Sequence, residues 1–180
     1  MERTFVIPAR IGGLVGHAAR IVEAMGDGYR RGLVLSAVHE ALTNAVIYGA
    51  LRIPASERGR DVDELLGRIL AREATEPEAV VHAAVMKLGD GSGDAVVRVS
   101  DCGPGFDWRS WLRFRRQVAS PSVSWSNVPT WGRGLVIMQA GARAMWWNEQ
   151  GNEVSLRFSV REGGDCCASE RSSGGRARGG

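Results

Sequence analysis

Between Arg31 and Ala50 the chain carries Leu35, Val38, Leu42, Ala45 and Val46 at helical spacing, with no proline and no glycine between Leu33 and Tyr48. This is the strongest helical pattern in the sequence. A stripe of this kind needs a partner layer to cover it. The same run holds Glu40 and Asn44, four residues apart and therefore on one face. At about 100° per residue that face lies nearly opposite the stripe. The pair is then free to line a cleft.

The chain has 180 residues, 44% of them hydrophobic, which suits one globular domain with a real core. Its formal net charge is +3, from 23 basic and 20 acidic residues, and gives no argument for nucleic acid. Lys87 is the only lysine, so the basic residues are almost all arginine. No apolar run approaches membrane-spanning length, and Met1–Ile7 lacks the apolar stretch of a secretory signal. The expected location is cytoplasmic, away from a membrane. Cys102, Cys166 and Cys167 form no spaced metal set and no disulfide framework. From about Gly163 to Gly180 the chain is Gly, Ser and Arg with little to bury, and a disordered tail is expected.

Along the chain, Thr4–Pro8 reads as a short strand, and Ile11–Met25 as an interrupted helix stopped by Gly26-Asp-Gly28. Residues 51–77 are a polar excursion. Asp61-Val-Asp-Glu64 inside it resembles a capping box and predicts a short helix. Ala79–Leu88 and Ala95–Ser100 read as strands joined by a turn over Gly89–Gly93. Ala95, Val97 and Val99 share a strand face, and Asp101 continues it. An acid on the apolar side of a sheet needs a partner, and a bound polar ligand can be that partner. Asp107–Trp131 reads as long and irregular, with four tryptophans and four arginines, and is a candidate mobile lid. Gly134–Ala142 predicts a helix. Ala144–Glu149 and Glu153–Val160 predict a hairpin whose second arm buries Val154, Leu156, Phe158 and Val160 and wets the alternate positions.

Three segments carry chemistry. An amide oxygen such as that of Asn44 can hold Mg²⁺ together with phosphate oxygens and waters. A glutamate beside it, Glu40, can orient or deprotonate a hydroxyl or water attacking a γ-phosphate. In Asp101-Cys-Gly-Pro-Gly105 the carboxylate can accept a bond from an adenine amino group, while Gly103 and Gly105 let backbone approach the base and sugar. Gly132-Arg-Gly134 offers backbone N–H groups at a helix start plus the Arg133 charge, both suited to phosphate. Each fragment is common by itself. Their order is what makes them specific.

In that order the sequence resembles the ATPase superfamily that includes gyrase, histidine kinases and the bacterial anti-sigma serine kinases. His39–Ala50 looks like its N box, Val99–Asp107 like its first glycine box, and Gly132–Met138 like its second. The resemblance covers residues 1–162. It implies an α+β fold, a two-layer sandwich of a mixed, mostly antiparallel sheet with helices on one face. Nucleotide would lie between the layers under a lid at 107–131. By resemblance Glu40 is the general base, Asn44 the Mg²⁺ ligand and Asp101 the adenine acceptor. Gly103, Gly105, Gly132 and Gly134 shape the nucleotide loops, and Arg133 touches phosphate.

Few residues precede the N box, and they begin with a strand rather than a histidine-kinase dimerisation helix. That phrasing is most similar to the anti-sigma branch, and implies a regulatory serine/threonine kinase. Such a kinase uses ATP and Mg²⁺ to phosphorylate a small antagonist protein, and switches between that partner and a sigma factor or similar target. A homodimer is left open. Two alternatives accompany this reading: a non-catalytic ATP/ADP-dependent switch, and a detached histidine-kinase catalytic domain. The sequence departs from the branch in its 51–77 insert, in its Trp- and Arg-rich lid, and in Asn152, which stands near a threonine frequent in the superfamily.

Overall fold

A single antiparallel sheet organises the chain. In the computed structural model, which describes residues 2–54, 56, 61–118 and 130–160, five strands are ordered β1-β2-β3-β5-β4. They are β1 (Glu2–Pro8), β2 (Val80–Lys87), β3 (Ala95–Ser100), β4 (Ala144–Trp147) and β5 (Glu153–Phe158). Every pair of neighbours runs antiparallel. The helices are α1 (Leu14–Met25), α2 (Arg31–Asn44), α3 (Val62–Thr75), α4 (Trp108–Val118) and α5 (Thr130–Gly141). The two-layer α+β architecture expected from the sequence is the one the chain forms.

The register aligns the inward rows. Val97 pairs with Val85 and Leu156, and Val99 pairs with Ala83 and Val154. All of these are buried. Against them lies α2, flanked by α1 and α5. A Cβ on Gly141 would come within 2.6 Å of the Leu33 carbonyl oxygen and 2.8 Å of Ala37 Cβ, so α5 crosses α2 almost backbone to backbone. Each fully buried Val or Leu in this core contributes about 1.5–3 kcal/mol.

Several expectations shift. Leu35 is only partly buried, whereas Val34, Ala37 and Ala41 are fully buried. Cover by the sheet, α1 and α5 widens and rotates the apolar arc of α2. Asn44 therefore sits at the edge of that arc rather than opposite it. Arg31–Ala50 also reaches the length and mean hydropathy, 1.2, of a membrane-crossing helix, so the expectation of no such run was too strict. Here its buried side chains meet the sheet and the neighbouring helices, as a core helix's do. In β5 the expected wet position Ser155 is buried.

Local signals explain other boundaries. Gly26 and Gly28 both adopt positive φ, 85° and 97°, and end α1. Asp61 caps α3, its Oδ1 accepting from the N–H groups of Asp63 at 2.8 Å and Glu64 at 3.3 Å. The insert helix runs through Thr75, longer than expected, and its buried Glu73 accepts from the Ile11 N–H at 2.6 Å, holding the approach to α1. The expected irregular segment after Asp107 begins instead with α4. Asp107 accepts from Ser110 N–H at 3.0 Å and from the Ser110 hydroxyl, which caps that helix and lowers the Asp107 pKa. Residues 119–129 of the expected lid, including Trp125, and the expected disordered tail lie outside the described residues, and the last two residues of that lid, Thr130 and Trp131, belong to α5.

Candidate functional site

The strand-parity argument places Asp101 at the end of the buried row of β3, and its carboxylate is half-buried there. The Gly103 N–H donates to Asp101 Oδ1 at 2.8 Å. Burial pushes the Asp101 carboxyl above the usual aspartate range, while the Gly103 bond works the other way. The Asp101 backbone is fixed from the far side. Its N–H donates to the Asn152 carbonyl at 3.0 Å, and Asn152 Nδ2 donates to the Asp101 carbonyl at 3.1 Å.

Opposite Asp101, α2 changes pitch. Ala45–Ala50 form a π-helical turn, a rare conformation frequent at functional sites. The turn brings Gly49 against Asp101. A Cβ on Gly49 would fall within the Asp101 carboxylate, 2.5 Å from Oδ2 and nearer still to the other two carboxylate atoms. Gly103 closes the contact from below, where its own Cβ would lie 2.7 Å from Gly49 Cα. Gly49 and Gly103 are thus glycines because two backbones and a carboxylate share that space.

A cavity opens beside this contact. Its cavity volume is about 80 Å³, a narrow slot that opens onto solvent. Asn44, Tyr48, Asp101, Asn152 and Glu153 supply polar groups to its wall, and Leu135, Met138, Phe106 and Trp147 supply apolar surface. The Asp101 carboxylate, an acceptor when ionised, beside the apolar part of the wall suits a flat polar ring that presents an N–H donor.

The other residues singled out in the sequence are distributed around this cavity. Gly105 lines it with φ 77°, and its missing side chain admits the Gln150 carbonyl. Gly103 is buried behind Asp101. Glu40 is not part of the wall. Its carboxylate lies one helical turn before Asn44 and against Gly134, where a Cβ would stand 2.5 Å from Glu40 Oε2 and 3.5 Å from Asn44 Nδ2. Gly134 thus joins the Glu40–Asn44 face to α5. Because α5 starts at Thr130 rather than at Gly134 as expected, Gly132 falls in its first turn and Gly134 slightly deeper. Among the first turn's residues, Gly132 is buried and Arg133 exposed.

No group of three or more His, Cys, Asp or Glu capable of holding a metal ion occurs among the described residues. Mg²⁺ does not need one, since it is commonly held by one or two protein oxygens plus substrate phosphates and water. The Asn44 amide on the cavity wall, with the Glu40 carboxylate a turn away, fits that sparse donor set.

An aromatic group forms one end of the cavity. Trp147 meets Phe106 edge-on at 5.6 Å, stacks with Trp108 at 6.1 Å, and meets Trp111 edge-on at 5.6 Å. Arg109 lies over Trp108 at 4.3 Å from the ring centre. The Trp108 indole N–H donates to the Asn148 carbonyl at 2.9 Å. These contacts seat α4 on the β4–β5 turn.

Gly49, Trp147, Phe106 and Tyr48 were not singled out from sequence. Gly49 follows Glu40 and Asn44 within the same segment, so only a close-approach argument could have raised it. Trp147 read as one more hairpin residue. A family model of the histidine kinase-like ATPase domain matches residues 8–158. A search of curated proteins finds no match.

Proposed function

The chain belongs to the histidine kinase-like ATPase family, and from that premise we propose that it is an ATP-binding regulatory serine/threonine kinase of the anti-sigma type. The observation that carries this reading is the meeting of Glu40, Asn44 and Gly134 beside the cavity that Asp101 lines. A carboxylate, an amide and the N-terminal part of α5 converge where the phosphates of a nucleotide held at Asp101 would lie.

In this reading Asp101 accepts from the adenine amino group, and Trp147, Phe106, Leu135 and Met138 enclose the ring. Asn44 would hold Mg²⁺, which would supply charge neutralisation at the phosphates. Glu40 takes the proton of a partner Ser or Thr hydroxyl. The hydroxyl oxygen forms a bond to the γ-phosphorus, the bond from that phosphorus to the bridging oxygen breaks, and ADP leaves. Arg133 and the first N–H groups of α5 offset the phosphate charge. The product is a phosphorylated antagonist protein in a cytoplasmic partner-switching pathway, with altered affinity for a sigma factor or similar target.

Incubation with γ-labelled ATP and candidate antagonist domains tests this. Acid-stable label on a Ser or Thr is expected, and Glu40→Gln is expected to slow its transfer by about 10²–10⁴-fold. Acid-labile label would indicate a histidine kinase instead. Equal transfer by the variant would remove Glu40 from the chemistry. One observation favours a second reading, a non-catalytic nucleotide switch: Glu40 rests against Gly134 rather than on the cavity wall. Nucleotide binding with no transfer to any partner would support it.

A further inference from the structure

Asp101 and α4 are far apart in function but are joined through one short turn. Asn148, which is not part of the cavity wall, stands at its centre. Asn148 Oδ1 accepts from the N–H groups of Gly151 at 2.8 Å and Asn152 at 3.2 Å. Its Nδ2 donates to Asn152 Oδ1 at 2.7 Å, and Asn152 in turn holds the Asp101 backbone on both sides. On the other flank the Asn148 carbonyl takes the Trp108 indole N–H, and the Glu149 carbonyl takes Arg109 at 3.4 Å. The turn also interlocks with the glycine turn after β3. Gln150 Nε2 donates to the Gly103 carbonyl at 3.4 Å, and a Cβ on Gly151 would run into the Phe106 backbone.

We propose that Asn148 is a positioning residue that couples occupancy of the cavity to the seating of α4. This rests on the reading of the cavity as a nucleotide site. The physical ground is shared restraint. Trp147 and Phe106 line the cavity and also carry α4, and Asn152, a third wall residue, reaches α4 through Asn148. A ligand that restricts them lowers the further cost of ordering α4. Linkage then requires that a seated α4 raise ligand affinity by the same factor. Asn148 is the one residue whose side chain serves Asn152 and whose carbonyl serves Trp108. Replacing its side chain by alanine removes the bonds to Gly151 and Asn152 that fix this turn, and so loosens the hold on Asp101 and Trp108 together while leaving the Trp147 stacking and the ligand contacts in place.

The test measures hydrogen exchange of the α4 amides with and without MgADP, in the full chain and in Asn148→Ala and Trp108→Phe. The second variant keeps an aromatic ring against Trp147 but removes the indole N–H and part of the stacking face, so it carries the test should the first fail to fold. In the wild type MgADP is expected to slow α4 exchange. Both variants are expected to bind MgADP about fivefold or more weakly and to lose that slowing. The double variant is expected to be no worse than Asn148→Ala, because both cut one path. A purely structural role would lower thermal stability yet leave the ligand-dependent slowing intact, and that result overturns the proposal. Binding to the wild type with no change in α4 overturns it as well. Absence of MgADP binding to the wild type would instead overturn the nucleotide reading on which the proposal rests.

Discussion

Replacing Gly49 by alanine would put a methyl group where the Asp101 carboxylate lies. The ideal Cβ stands 2.5 Å from Oδ2, and the carboxylate carbon is closer. Ordinary carbon–oxygen contact needs about 3.4 Å, so the carboxylate must move by roughly an ångström. It cannot do so freely. Gly103 N–H holds Oδ1 at 2.8 Å, and Asn152 holds the backbone. Overpacking costs about 1–3 kcal/mol. Losing a hydrogen bond to a charged group costs about 1.5–3 kcal/mol. Alanine returns about 0.5–1 kcal/mol of helix preference, and Gly49 does not have positive φ to penalise it. The net is a loss of about 1.5–5.5 kcal/mol, shared between folding stability and ligand affinity. Were half of it to fall on affinity, Kd for ATP would rise about 3–100-fold. Calorimetric titration and thermal unfolding measure the two parts. Gly67→Ala is the matched control, since its Cβ would meet nothing within 4 Å in the exposed interior of α3, and it should be slightly stabilising. Should Gly49→Ala match the wild type in both Kd and Tm, the close-approach reasoning is wrong.

Other predictions follow from the same contacts. Asp101→Asn should stabilise the ligand-free protein at neutral pH while weakening ATP binding. Burial raises the folded-state pKa of Asp101, so its favourable contribution is full below the unfolded value of about 3.9 and is lost as pH rises through the folded one. The gain in urea midpoint from the asparagine should therefore be largest near pH 7 and shrink toward pH 4, and a gain independent of pH would contradict the sign. Gly134→Ala meets only the tip of a flexible side chain, Glu40 Oε2. Thermal stability should change little while phosphate transfer falls at least about tenfold by displacement of the base; unchanged transfer would separate Glu40 from α5.

The parts of this site legible in the sequence are those written in local pattern. The parity of Ala95, Val97, Val99 and Asp101 needs only a strand, and the structure keeps it. Asp61 as a cap and Gly26–Gly28 as a break are likewise local. Helix α4 carried its own signal in Asp107 and Ser110, an N-cap pair that the abundance of Trp and Arg obscured. The edge position of Asn44 was not legible, because it depends on α1 and α5 covering α2 from two sides. Gly49 was still less so. Its role appears only when a π-helical turn and a strand end are brought together from 52 residues apart in sequence, Gly49 to Asp101. Trp147 is apolar in a strand pattern, and its place between the cavity and three aromatic rings is a tertiary fact.

The central claim is that Asp101 reads an adenine ring in the cavity. Competition between MgATP and MgGTP, followed by calorimetry on the wild-type chain, tests it most directly. An ionised carboxylate accepts but does not donate, so it favours the adenine amino group and opposes the guanine carbonyl. Saturable binding of MgATP at least about tenfold tighter than MgGTP is predicted. Equal affinity for both nucleotides, or binding of neither, would contradict the account.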